Sequence, residues 1–163
     1  MIDKKQKTEK TFDFSTKKKV SIWVSQHPYA EIPDDYFEES FTRNNTRATN
    51  QWSNNYRLKY FRPDELETNG AETGVIDVKS AAAECSFSSS FIQPLLNKAR
   101  KKKINDITWM ILIYEMEYSS KSTGTESDEY TKFIGAFNYD DAAANLKDIV
   151  DESTNDPFSF KSK

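Results

Sequence analysis

One cysteine, one histidine and four glycines occur in 163 residues, and each scarcity removes a class of function. Cys85 has no second cysteine to join, so an internal disulfide is impossible, which suits a reducing cytosol. His27 is equally alone, and with Cys85 distant in sequence a zinc site lacks its ligands. A hydrogen-bonded loop histidine is the plainer reading. The glycines are too few for a phosphate-cradling loop, and no Gly-x-Ser-x-Gly spacing marks a nucleophile elbow around Ser88, Ser89 or Ser90. The longest apolar block, Trp109–Tyr114, is far too short to cross a bilayer. Residues 1–19 contain no apolar run of signal-peptide length. A cytoplasmic protein with no membrane partner, no metal and no cofactor is therefore expected.

Aromatics, in contrast, are plentiful: eleven Phe, eight Tyr and three Trp can supply a core despite the modest apolar fraction. At this length one domain is expected, large enough to bury about two-thirds of its unfolded surface without a staple. The net charge of −3 hides a contrast. Residues 1–19 hold seven Lys against Asp3, Glu9 and Asp13, a net of +4, so the remainder carries −7. Acid concentrates over 31–39 and again over 115–156, whereas 40–63 contain only basic charges, Arg43, Arg47, Arg57, Lys59 and Arg62. Blocks of one sign steer charged partners, although a solvated surface is the plainer account of any one block.

Periodicity sketches an α+β domain, a mainly antiparallel sheet packed with a central helix and a C-terminal helix. Residues 1–19 read as a disordered, Lys-rich leader, 20–151 as the folded domain and 152–163 as a flexible tail. Val20–Ser25 alternates as a strand, after which Pro28 and Pro33 break the chain. A short helix or turn is expected at 34–41, a loop or short helix around Trp52, a strand at 57–61 and a connection at 69–74. Helix is weakly favoured at 81–84. Ser90 and Gln93 fit a capping box, followed by an apolar stripe of Phe91, Ile92, Leu95, Leu96 and Ala99. The strand at 107–118 is apolar on both faces before turning acidic, which places it mid-sheet. The strand at 130–139, with Phe133, Gly135 and Phe137 on one face, is expected to pair with it, setting Met116 against Phe133 and Glu117 against Lys132. Asp140 or Asp141 is expected to cap a last helix with Ala143, Leu146, Ile149 and Val150 inward.

Three constellations carry charge. Glu115 and Glu117 lie two residues apart on a strand, about 7 Å in an ideal one, close enough to suggest a carboxylate pair. Neutralisation by Lys132 makes a solvated or partner-binding sheet face the better reading than hydrolysis. Lys98, Arg100, Lys101, Lys102 and Lys103 close the central helix, where cations oppose the negative end of its dipole. With the aromatic and basic stretch at 43–62 they could form a small nucleic-acid- or protein-binding regulatory module, but the acidic balance elsewhere argues against nucleic acid.

Five stretches in order resemble the immunity protein 22 family of bacterial polymorphic toxin systems. They are Val20-Ser21-Ile22-Trp23-Val24, then WSNNYRLKYFRPDELE from Trp52 to Glu67, then Cys85-Ser86-Phe87-Ser88-Ser89-Ser90-Phe91-Ile92. Ile113-Tyr114-Glu115-Met116-Glu117-Tyr118 and Lys132-Phe133-Ile134-Gly135-Ala136-Phe137-Asn138-Tyr139 complete the set. The resemblance implies an α+β inhibitor that binds and neutralises a cognate toxin domain without catalysis, and it carries over no catalytic residue. An acidic surface would suit a basic toxin such as a nuclease. The residues expected to bind it are Asp34, Asp35, Glu38 and Glu39, with Glu115, Glu117, Asp140 and Asp141 as a second patch. Tyr36 and Tyr118 are the expected aromatic anchors.

Overall fold

The computed structural model describes residues 10–41, 43 and 46–149. Its centre is a four-stranded sheet in the order β4-β7-β1-β8, formed by Ser15–Ser25 (β1), Leu66–Gly70 (β4), Trp109–Met116 (β7) and Lys132–Asn138 (β8). All three pairings are antiparallel, as an α+β fold requires. Two short two-stranded sheets flank it: Ser40–Phe41 (β2) with Ala48–Thr49 (β3), and Ile76–Asp77 (β5) with Asp106–Ile107 (β6).

Both faces of the sheet are covered. Val20, Ile22, Val24, Met110, Leu112 and Tyr114 meet Val78–Ala83 (α2) and Ile92–Lys101 (α3) through Val78, Ala81, Ala82, Phe91, Leu95 and Ala99. On the opposite face Trp23, Ile111, Ile113 and Phe133 meet Gln51–Asn55 (α1) and its flanks through Trp52, Tyr56, Leu58 and Phe61. Trp23 is the hub of that aromatic layer, with ring centroids 4.8 Å from Trp52, 5.3 Å from Tyr118 and 5.2 Å from Phe133. A central strand buried on both sides reads as a continuous apolar run, and Trp109–Met116 does.

Pairing departs from the expectation. β7 and β8 are not neighbours; β1 lies between them. Val20 therefore faces Tyr114 on one side and Phe137 on the other. Glu117 consequently meets Lys19, at 3.5 Å, rather than Lys132. Register shifts also break the simple alternation. Glu115 has φ 59°, and across it Tyr114 and Met116 fall into opposite cores, although residues two apart on a regular strand share a face. A second shift, between Ile22 and Trp23 against β8, sends Phe133 and Phe137 to opposite faces.

β1 begins at Ser15, ahead of the expected Val20, so 15–19 of the Lys-rich segment are strand, and Phe12 bridges to Leu58. Residues 1–9 and 150–163, which include the first part of that segment, Val150 and the expected tail, lie outside the described residues. The stretch 57–61 forms only isolated bridges, while β2, β3 and β4 are strands where none is expected. α3 starts without the expected capping box: Ser90 Oγ instead donates to Phe87 O and accepts from Asp140 N. The final helical turn, at 146–149, is capped by Asn145, whose Oδ1 accepts from Asp148 N at 2.7 Å, while Asp140 caps only the preceding turn. Ile149 points outward at 43 % exposure.

Candidate functional site

The acidic excursion after β1 is shaped by its prolines. Pro28 and Pro33, in extended backbone, each introduce one 3-10 turn, Tyr29–Glu31 and Asp34–Tyr36. Tyr36 then pins the segment down. It is 1 % exposed, and its hydroxyl donates to Asp128 Oδ2 at 2.5 Å and lies 3.0 Å from Thr131 Oγ1. Burial, with the hydrogen bond to Asp128 behind it, pushes the Tyr36 phenol far above its ordinary range, so it stays a donor. Phe37 follows it into the aromatic layer, 5.3 Å from Trp52 and 5.2 Å from Trp109.

With Tyr36 and Phe37 turned in, their neighbours turn out. Asp34, Asp35 and Glu38 are exposed and Glu39 is half-buried. None of the four forms an ion pair with a described cation. Asp34 and Glu39 stand over a groove of about 410 Å³ whose apolar walls are Tyr29, Ile32, Phe37, Leu66 and Trp109. A smaller recess of about 160 Å³, lined by Asn69, Gly70 and Glu72, adjoins it and shares Tyr29, Thr68 and Trp109. The Tyr29 and Trp109 rings meet edge to face at 5.8 Å, and Tyr29 remains 46 % exposed. Carboxylates above an aromatic floor can attract a cationic chain and bury an apolar side chain beside it.

The second acidic patch is spoken for within the chain. Glu115 Oε2 accepts from Lys18 N at 2.8 Å and from Tyr139 OH at 2.5 Å. Asp141 pairs with Lys18 at 2.5 Å, Glu117 with Lys19, and Asp140 accepts from Ala142 N at 2.9 Å. The two expected aromatic anchors are both buried. Tyr118 is 3 % exposed, hydrogen-bonded to Thr125 O at 2.5 Å, and burial pushes its phenol up to about 12. Like Tyr36 it packs into this chain's own aromatic core.

The remaining candidates have structural employment. His27 stacks edge to face on Tyr130 at 5.0 Å, and Cys85 is buried, with burial first and Glu67 second raising its thiol well above the ordinary range. Lys102 at the end of α3 pairs with Glu126. Among the described residues no group of three or more His, Cys, Asp or Glu could hold a metal ion, and no helix is long and apolar enough to cross a membrane. Sequence reasoning missed Tyr29, Leu66, Thr68 and Trp109 as groove residues. Leu66–Gly70 has a single apolar side chain and so carries no alternation to mark it as a strand.

The sequence model of the family described as Immunity protein 22 matches residues 20–140. Neither a curated protein nor a solved structure matches the chain. The matched span covers the whole four-stranded sheet except the first residues of β1, both helices beneath it and the acidic excursion.

Proposed function

The chain belongs to the immunity protein 22 family, and from that premise we propose that it neutralises a cognate bacterial toxin domain by binding it. It acts by occupancy, without catalysis, in the cytoplasm, as the inhibitor half of a polymorphic toxin system. The partner is a basic toxin domain such as a nuclease, and the binding face is the excursion carrying Asp34, Asp35, Glu38 and Glu39 with the groove behind it. Glu115, Glu117, Asp140 and Asp141 contribute field rather than direct contact, because each already holds a partner within the chain.

The observation that carries this choice of face is the contrast between the two acidic patches. One is paired internally; the other presents four carboxylates free of any described cation, fixed by a buried tyrosine. Unpaired like charges on a compact surface cost stability and recover it when a complementary surface arrives. The test is co-expression in bacteria with the toxin domain encoded beside this chain's gene. Wild-type chain should restore growth and co-purify with the toxin domain at equal stoichiometry. Growth arrest despite abundant folded chain would sink the reading.

A further inference from the structure

We propose that the toxin domain presents an extended segment to the outer edge of β4, adding a fifth strand whose side chains enter the groove. This rests on the reading of the chain as a toxin-binding inhibitor and specifies how the partner is held. β4 is the terminal strand of the sheet. Ala71 N donates to Thr108 O at 3.0 Å, and the register continues through Gly70 opposite Trp109 to Leu66 opposite Ile113. Antiparallel ladders alternate, so Glu67 and Asn69 turn their backbone groups towards β7, while Leu66, Thr68 and Gly70 turn theirs outward. Leu66 N is taken by Pro63 O, but no described backbone group pairs with the outward groups of Thr68 and Gly70. The other end of the sheet is different: Phe133 N of β8 donates to Glu126 O at 2.8 Å, and Lys132 bridges to Ser127. Among the described residues the β4 edge is thus open from Thr68 to Gly70, whereas β8 is bridged at its start, and an open edge is a template for another strand.

The groove says what that strand should carry. Side chains of an added strand alternate between faces, and every second one would lie on the face of Leu66, Thr68 and Trp109, where the groove is. Its floor there is Trp109 flanked by Tyr29 and Phe37, and its rim carries Asp34 and Glu39, with Glu72 at the adjoining recess. The complementary occupant is an extended stretch with an apolar side chain at its middle groove-facing position and Lys or Arg on either side. Helix-in-groove docking fits less well, because it would leave the outward amides of Thr68 and Gly70 unpaired.

Amide hydrogen exchange of the full chain, alone and saturated with the toxin domain encoded beside its gene, tests this directly. On binding, exchange at Thr68 and Gly70 should slow by about tenfold or more, with no such change along α3, as main-chain pairing demands. Thr68 is exposed, so Thr68→Arg leaves the core intact, which circular dichroism checks. Thr68→Arg sets a like charge against the cationic occupant and should weaken binding by about tenfold or more. A toxin domain that binds the wild-type chain while the Thr68 and Gly70 amides exchange unchanged, or that binds Thr68→Arg equally well, overturns strand addition and leaves the inhibitor reading standing. No binding to the wild-type chain overturns the inhibitor reading and, with it, this one.

Discussion

At Glu115 a single carboxylate ties two strands and the residue beyond a third. The residue sits at φ 59°, where only a well-supported side chain persists, and Lys18 opposite has φ 62°. The support is mutual: Glu115 Oε2 accepts the Lys18 amide of β1 and the Tyr139 hydroxyl that follows β8. The Tyr139 bond first, and the Lys18 amide with it, outweigh burial and lower the Glu115 carboxyl below its ordinary 4.5. Burial first, then that same bond, raise the Tyr139 phenol above its ordinary 10.0. The sign differs for the two groups. The depressed carboxyl contributes stability above pH 4.5 that is lost as pH falls through its folded value; the raised phenol contributes stability that is lost above pH 10. Glu115→Gln should therefore cost about 1 kcal/mol near neutrality, a charge-assisted bond discounted for partial exposure. That cost should shrink as acidification carries the wild-type carboxyl through its lowered folded value and protonates it in turn. Urea midpoints across that range check it, and an equal loss at both ends rules out the ionised acceptor. None of this was legible in the sequence, which places Glu115 beside Glu117 as a surface pair. Glutamate has no preference for positive φ, so only the bulge between β1 and β7 reveals it.

At the scale of elements, the strands with internal periodicity were readable and those held by neighbours were not. Val20–Ser25 and Trp109–Met116 announce themselves by alternation and by apolar density. Leu66–Gly70 is a strand because β7 needs a partner on that side, and because Asn69 and Glu67 are caught from below, by Ala81 O at 2.8 Å and Ser86 N at 3.0 Å. The insertion of β1 between β7 and β8 was equally hidden, since hairpin neighbours are the default for consecutive strands and the 119–129 link is long enough to permit another choice. α1 shows the reverse: its Asn50 and Ser53 satisfy each other's backbone amides in a complete capping box, while Trp52 fills the aromatic layer. β4 also has a weak point of its own. A Cβ on Gly70 would lie 2.3 Å from Thr108 O and 2.9 Å from the Trp109 Cα, both backbone atoms that cannot swing aside. Gly70→Ala should separate β4 from β7 and destabilise the chain by about 1–3 kcal/mol. A denaturation midpoint unchanged from wild type would show that the strands are not held that closely.

Over the whole molecule, charge is distributed by use rather than by count. The formal net charge of −3 is too small to define a partner, and the sequence distinguishes acidic blocks without saying which are already satisfied. The fold draws that line: Lys18 and Lys19 are carried by β1 onto Asp141 and Glu117, while nothing basic among the described residues reaches Asp34, Asp35, Glu38 or Glu39. These four were named from the sequence because acid is dense there; their partners Tyr29 and Trp109 in the groove were not, because 80 residues separate the two and only the sheet joins them. Replacing all four carboxylates with Lys moves the formal charge to +5 without touching an internal ion pair. Stability should therefore stay within about 0.5 kcal/mol of wild type, the range of ordinary surface substitutions. Association with a basic toxin domain should behave otherwise. Steering acts through the long-range field, so the on-rate should fall by about tenfold or more at low ionic strength. The difference between the two proteins should narrow as salt approaches about 1 M, where the screening length contracts to about 3 Å. Stopped-flow association across a salt series separates this from a lost contact, which would raise the off-rate at every salt concentration. On-rates that match wild type at low salt would move the binding face away from the excursion between Pro28 and Phe41.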